Sequence, residues 1–125
     1  MAIRRLKRRP EFLQVASSGQ KAATPGLVLQ ARRRPHTLVP GAPEADAEEL
    51  RVGFTASRKV GGAVERNRAK RRLRAAAEDV LASEGRAAHD YVLIARAETI
   101  RRPYALLKDD LARALKRLGR DGAGR

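Results

Sequence analysis

The chain predicts an α+β fold, a small β-sheet packed with helices in the order α-β-β-α-β-α and forming a two-layer sandwich. Three observations carry this. Runs of strand length stand at Leu27–Ala31, Arg51–Ser57 and Tyr91–Ala95, the first two alternating and the third continuously apolar. Apolar stripes at three- and four-residue steps run through two later stretches, as core-facing helices require. Strands and helices follow one another without regular βα alternation, and no internal repeat is present.

Residues 1–9 carry Arg4, Arg5, Lys7, Arg8 and Arg9 and are expected to form a mobile basic arm. Pro10 to Ser18 reads as a short helix with Phe12, Leu13 and Ala16 on one face, stopped by Gly19. Leu27 to Ala31 reads as a strand with Leu27, Leu29 and Ala31 turned one way. Residues 35–50 hold Pro35, Pro40, Gly41 and Pro43 with Glu44, Asp46, Glu48 and Glu49, the composition of a flexible acidic loop between two strands. In Arg51–Ser57, Val52, Phe54 and Ala56 face one side, so this strand is half-buried. Gly61-Gly62 ends it, and a helix is expected from about Ala63 to Leu81 on the stripe Ala69, Leu73, Ala76, Ala77 and Val80. Ser83 to Ala88 should turn. Tyr91 to Ala95 suits a central strand. The last helix opens near Pro103, buries Tyr104, Leu107, Leu111, Ala114, Leu115 and Leu118, and closes at Gly119, with 119–125 a disordered tail. The whole, 1–125, is expected to be one domain.

Composition narrows the function. The chain has 28 Lys and Arg against 14 Asp and Glu, a formal net charge of +14. Such an excess is the electrostatic footprint of a polyanion binder. Aromatics are only 3%, so the core must rest on Leu, Val, Ile and Ala. The chain has no cysteine, which excludes disulfides, thiolate metal sites and a cysteine nucleophile. The basic start runs into Pro10 with no apolar core, unlike a signal peptide, and no stretch approaches the roughly 18 apolar residues of a membrane span. A cytoplasmic protein is the expectation, with no membrane partner.

The densest charge lies between Ser57 and Arg74: Arg58, Lys59, Arg66, Arg68, Lys70, Arg71, Arg72 and Arg74, with Glu65 the one acid. On a helical wheel at 100° per residue, Arg68, Arg71 and Arg72 fall away from the Leu73 stripe, and Asn67, Lys70 and Arg74 flank it. Arg66 projects onto nearly the same face as Leu73. Either the first turn overhangs the sheet and leaves Arg66 free, or a hydrogen-bonded network holds it. Planar guanidinium forks match phosphate oxygens, and the N–H groups of a Gly61-Gly62 turn at a helix start also suit anions.

The run Arg51-Val52-Gly53-Phe54-Thr55-Ala56-Ser57-Arg58-Lys59-Val60-Gly61, followed by Ala63-Val64, Arg66-Asn67-Arg68, Lys70-Arg71 and Leu73-Arg74, resembles the signature of the bacterial ribonuclease P protein subunit. The likeness of layout extends over about residues 4–118, including Asp90-Tyr91-Val92-Leu93-Ile94-Ala95-Arg96. It implies a fold like the second domain of ribosomal protein S5, with a left-handed βαβ crossover against the usual rule. It implies an accessory subunit of an endoribonuclease, working as a monomer with one copy per catalytic RNA. That RNA, with its magnesium, removes the 5′ leader of precursor tRNA; the protein itself holds no cofactor, no metal and no catalytic residue. Carried over by position, Arg58, Lys59, Arg66, Asn67, Arg68, Lys70, Arg71, Arg72 and Arg74 face RNA. Phe12, with Val28, Gln30 and Arg51, lines a cleft for the single-stranded leader, where Phe12 either stacks on a base or is plain core. Two departures stand out. Ala16 occupies a position where relatives often carry a second aromatic, and the 35–50 loop is longer than usual.

The residues read on their own offer no catalytic constellation. His36 and His89 are far apart in sequence, and Asp109 and Asp110, adjacent on a helix, are expected to be solvated surface residues. A ribosomal or architectural RNA-binding protein without a processing role is the rival reading. A self-sufficient nuclease is disfavoured by the lack of clustered histidines or carboxylates.

Overall fold

A computed structural model describes residues 3–34 and 49–122. Its elements are β1 (Ile3–Arg5), α1 (Arg9–Ser18), β2 (Gln20–Ala23), β3 (Leu27–Arg33), β4 (Leu50–Thr55), α2 (Ala63–Glu84), β5 (His89–Ala95), a short 3-10 turn (Ala97–Thr99) and α3 (Tyr104–Gly122). The five strands form one mixed sheet in the order β1-β4-β5-β3-β2. β4 runs parallel to both β1 and β5, while β3 runs antiparallel to β5 and β2. β5 is central and apolar on both faces, which is why its sequence is continuous rather than alternating.

Alternation sorts the other strands. Leu27, Leu29 and Ala31, Val52 and Phe54, and Tyr91, Leu93 and Ala95 share one face. They pack against the stripes Ala69, Leu73, Ala76, Ala77, Val80 and Leu81 of α2 and Leu107, Leu111, Ala114, Leu115 and Leu118 of α3. This is the expected α+β sandwich. On the opposite face Val92 meets Leu6 and Val15, with Phe12 and Ile94 partly buried beside them. α1 therefore covers the far face of the sheet, and only in part.

Several expectations need correction. The basic arm is not free throughout: Ile3–Arg5 pairs with Leu50–Val52, and Leu6 is buried. The many charges of that segment masked two apolar residues, and the edge of β4 supplies unpaired backbone groups for it to satisfy. β2 was missed because Gln20–Ala23 shows no strand signal; Ala22 alone is buried, and pairing with β3 makes the strand. In α1 the inward residues are Phe12 and Val15, three apart, whereas Ala16 is exposed and Leu13 is 54% exposed. The expected loop ends earlier than drawn, since Leu50 is fully buried and opens β4; residues 35–48 lie outside the described residues. β4 stops at Thr55 because Ser57 already accepts turn hydrogen bonds, from Val60 N–H at 3.0 Å and, on its hydroxyl, from Lys59 N–H at 3.3 Å. α2 continues to Glu84, inside the expected turn.

Gly119 does not close α3, which runs on to Gly122; residues 123–125 lie outside the described residues. The flexible guanidinium of Arg86 lies against Gly119. A Cβ there would stand 2.5 Å from Nη2 of Arg86. Asp110 is not a surface residue but fully buried. Arg102 donates to it through Nε at 2.8 Å and Nη2 at 3.1 Å, and Arg113 adds a third donor at 3.3 Å. A buried carboxylate survives only with such partners. Asp109, its neighbour, is exposed as expected. Among the described residues no helix is long and apolar enough to cross a membrane.

His89 lies in β5 rather than in a turn, stacked on Tyr91 with centroids 5.7 Å apart. Burial lowers its pKa below 6.5, and Arg86, Arg33 and Arg34 push the same way, against a hydrogen bond to the Ala87 carbonyl. The folded state thus binds the proton less well than the unfolded chain, so stability is full above the unfolded value and is lost as pH falls through the folded one. Urea melts of the wild type and H89Q should show a difference that shrinks as pH drops below 6.5. A pH-independent difference would contradict this account.

Candidate nucleic-acid interface

The stretch after β4 makes one tight turn and enters α2. Gly61 donates to the Arg58 carbonyl at 3.2 Å and takes φ of 146°, a region that disfavours any side chain. A Cβ at Gly61 would also stand 2.8 Å from Cβ of Glu65. Gly62 caps α2 without a side-chain hydrogen bond. Glu65 folds back over this end, its Oε2 within 3.1 Å of where a Gly62 Cβ would be. The helix start expected to favour an anion therefore already has a carboxylate of its own beside it, a favourable match to the helix dipole.

The first buried residue of α2 is Ala69, so Ala63–Arg68 project beyond the core. At 1.5 Å per residue the overhang is about 9 Å. It resolves the question of Arg66: the side chain is half-buried, and among the described residues its guanidinium has no hydrogen-bond or ion-pair partner. Arg58, Lys59, Asn67, Arg68 and Arg71 are exposed, and Lys70 and Arg74 half-buried. No ion pair engages these cations among the described residues. Arg72 departs from expectation. It is half-buried, and its Nη2 donates to the Arg102 carbonyl. It faces the chain that leads into α3, which packs along that flank of α2. Among the described residues the Nε groups of Arg72 and Arg74 are buried without a partner.

The second region lies where α1 crosses the opposite face of the sheet. The Phe12 ring sits directly over Gly53, where a Cβ would come within 2.4 Å of Cε1. Val28 and Gln30 are half-buried on β3, in register with Ile94 and Val92, and share this face. The structure thus brings Phe12, Val28 and Gln30 to one side of the sheet, apart from the cations of α2.

Arg51 belongs to this face but is heavily engaged. Its Nε donates to Oδ1 of Asp90 and its Nη2 to Oδ2, each at 2.7 Å, and its Nη1 donates to Oε2 of Glu11, also at 2.7 Å. Hydrogen bonding to Asp90 outweighs burial and holds its pKa above the usual arginine value. Asp90 is 1% exposed and takes a further bond from Nη1 of Arg34 at 2.6 Å. Arg34 also donates to the backbone carbonyls of His89, at 3.1 Å, and of Glu49. Sequence reasoning passed over Asp90, Arg34 and Glu11. The available signal was an acid within a strand that is otherwise apolar, since a carboxylate there demands a cation.

Among the described residues no group of three His, Cys, Asp or Glu is placed to hold a metal ion. A small α+β fold with an overhanging helix rich in cations that are unpaired among the described residues has the character of an RNA-binding protein. Comparison with known proteins makes this particular: the Ribonuclease P family model matches residues 2–119, and the chain belongs to that family. It is 51% identical to the ribonuclease P protein component of Paramagnetospirillum magneticum, over 92% of this chain and 82% of that one. The corresponding protein of Gluconacetobacter diazotrophicus is 47% identical, over 95% and 94%. Among solved structures, the Staphylococcus aureus RNase P protein matches with a TM-score of 0.68 at 25% identity, covering 90% of this chain and 92% of that one. The Thermotoga maritima RNase P protein matches at 0.67 and 26%, covering 90% and 96%.

The two kinds of arginine on α2 should separate by measurement. Arg72→Ala is expected to lower unfolding free energy by about 1–3 kcal/mol, because a carbonyl loses a charged donor. Arg68→Ala and Arg71→Ala should stay within about 0.5 kcal/mol, while each reduces the salt slope of RNA binding by about 1. Equal stability losses in all three would remove the distinction. Gly53→Ala is expected to cost about 1–3 kcal/mol by displacing the Phe12 ring, read from urea midpoints; a neutral result would mean the ring moves freely.

Proposed function

We propose that the chain is the protein subunit of ribonuclease P, which binds the catalytic RNA and the 5′ leader of precursor tRNA and assists RNA-catalysed removal of that leader. The observation that carries this is the cationic surface at the start of α2, with Arg58 and Lys59 on the turn before it, Arg66, Asn67 and Arg68 on its overhang, and Lys70, Arg71 and Arg74 just beyond, Glu65 being the one acid in the stretch. Membership of the family supplies the partner. In this reading phosphodiester hydrolysis belongs to the RNA and its magnesium ions. The protein contributes phosphate contacts and a second grip on the substrate.

That second grip is the cleft of Phe12, Val28 and Gln30. Phe12 offers one exposed portion of an aromatic ring for stacking against a base. With Ala16 one turn further on, no second aromatic adds to it. The subunit works in the cytoplasm as one copy per RNA.

The test is reconstitution. The purified chain, a bacterial ribonuclease P RNA and a precursor tRNA are combined at low magnesium, and release of the leader is followed on a gel. The protein should restore cleavage that the RNA alone performs poorly. If six to ten cations contact phosphate, affinity for the RNA should fall about 10³- to 10⁵-fold between 50 and 200 mM salt. Tight RNA binding without any gain in cleavage would favour an architectural protein instead.

A further inference from the structure

α1 forms one wall of the leader cleft, yet little apolar surface holds it in place. It has ten residues, a length that is marginal for a helix in isolation. Val15 is its one fully buried apolar side chain, and Phe12 is only half-buried. Its position over the sheet must be fixed by something else.

Arg51 is built for that purpose. It stands on β4 opposite Asp90 on β5, and two of its N–H groups fork onto that buried carboxylate. A planar guanidinium so clamped has a fixed direction. The same carboxylate is shared with Arg34, which anchors it from the end of β3. The donor left over at Nη1 points to Glu11 in the first turn of α1. Glu11 in turn accepts, on its other oxygen, the backbone N–H groups of Arg8 at 3.0 Å and Lys7 at 3.4 Å. One carboxylate thus ties the start of α1 to the sheet, and three of the five N–H groups of Arg51 are spent on acids.

We propose that Arg51 and Glu11 form a pin that sets the standing distance of α1 from the sheet, so that Arg51 governs the leader cleft as a positioning residue acting through α1. This rests on the leader-cleft reading given above. It differs from a direct contact between Arg51 and the leader in a way that charge exposes. Neutralising Glu11 removes a negative group from a site meant for a polyanion, and it releases an N–H of Arg51. Were Arg51 itself touching the leader, Glu11→Gln would leave precursor binding unchanged or tighten it. If the pair is a pin, the same change loosens α1 and weakens binding, against the electrostatic sign.

The experiment uses the holoenzyme reconstituted with a bacterial ribonuclease P RNA. Affinities for a precursor tRNA and for the mature tRNA are measured for the wild type, Glu11→Gln, Arg51→Gln and the double variant. Each single change should cut the preference for precursor over mature tRNA on the order of tenfold, and the double variant should lose no more than the worse single, as coupled neighbours do. Unchanged or tighter precursor binding in Glu11→Gln, with loss in Arg51→Gln, overturns the pin in favour of direct contact. Hydrogen exchange on the free protein gives an independent reading. In Glu11→Gln the amides of α1 should exchange faster while those of β3 and β5 keep their protection. Unchanged exchange in α1, or acceleration throughout, overturns the proposal. Failure of the wild type to promote cleavage would instead remove the functional reading and leave the exchange result to judge the pin.

Discussion

A buried carboxylate on the central strand, that of Asp90, obliges much of the surrounding structure to be where it is. Taking a carboxylate out of water costs several kcal/mol unless cations and hydrogen bonds replace the solvent. Arg34 and Arg51 supply them, and each brings its own strand into line at one end of the sheet. Arg34 adds the carbonyls of His89 and Glu49, so the end of β3 and the approaches to β4 and β5 converge on a single guanidinium. Through Arg51 the network reaches Glu11 and α1. The apolar cores on the two faces say that helices cover the sheet; this network says where the small one stands.

A second constraint is the disposal of excess positive charge. A chain of net charge +14 repels itself, and a fold that left every arginine alone would be weak. The arginines divide instead. Arg34, Arg51 and Arg102 hold buried acids, and Arg72 holds a backbone carbonyl. Among the described residues the cations of the 58–71 stretch stay unpaired, on the turn before α2 and on its start, which overhangs the core. Neutralisation of that group is left to a partner, which makes RNA binding and relief of repulsion the same event.

The parts legible in the sequence are those with a period. The stripes of α2 and α3 and the alternation of β3 and β4 could be read because each runs long enough to repeat. β1 and β2 could not, since three or four polar-looking residues carry no period and become strands through neighbours supplied by tertiary structure. The cationic stretch was visible as charge, and the wheel identified Arg66 as the awkward residue. It misjudged Arg72, whose environment depends on where the chain near Arg102 passes. Asp110 was opaque for the same reason, since nothing local betrays its burial, and Asp90 showed only as an acid in an apolar strand, with its partner Arg51 far away in sequence. α1 is turned slightly from the expected face, because Val15, which that face left out, is buried while Leu13 points outward.

The bare backbone at Gly53 links two positions of the sequence that share no chemistry. The ring of Phe12 rests where a methyl group at position 53 would lie, so the size of one residue limits the size of the other. In related chains these two sites should therefore vary together, a smaller residue at 12 permitting a larger one at 53. The height at which α1 stands over the sheet then becomes an inherited trait adjustable in steps of one carbon atom, without any change to the cationic surface on the other side of the sheet.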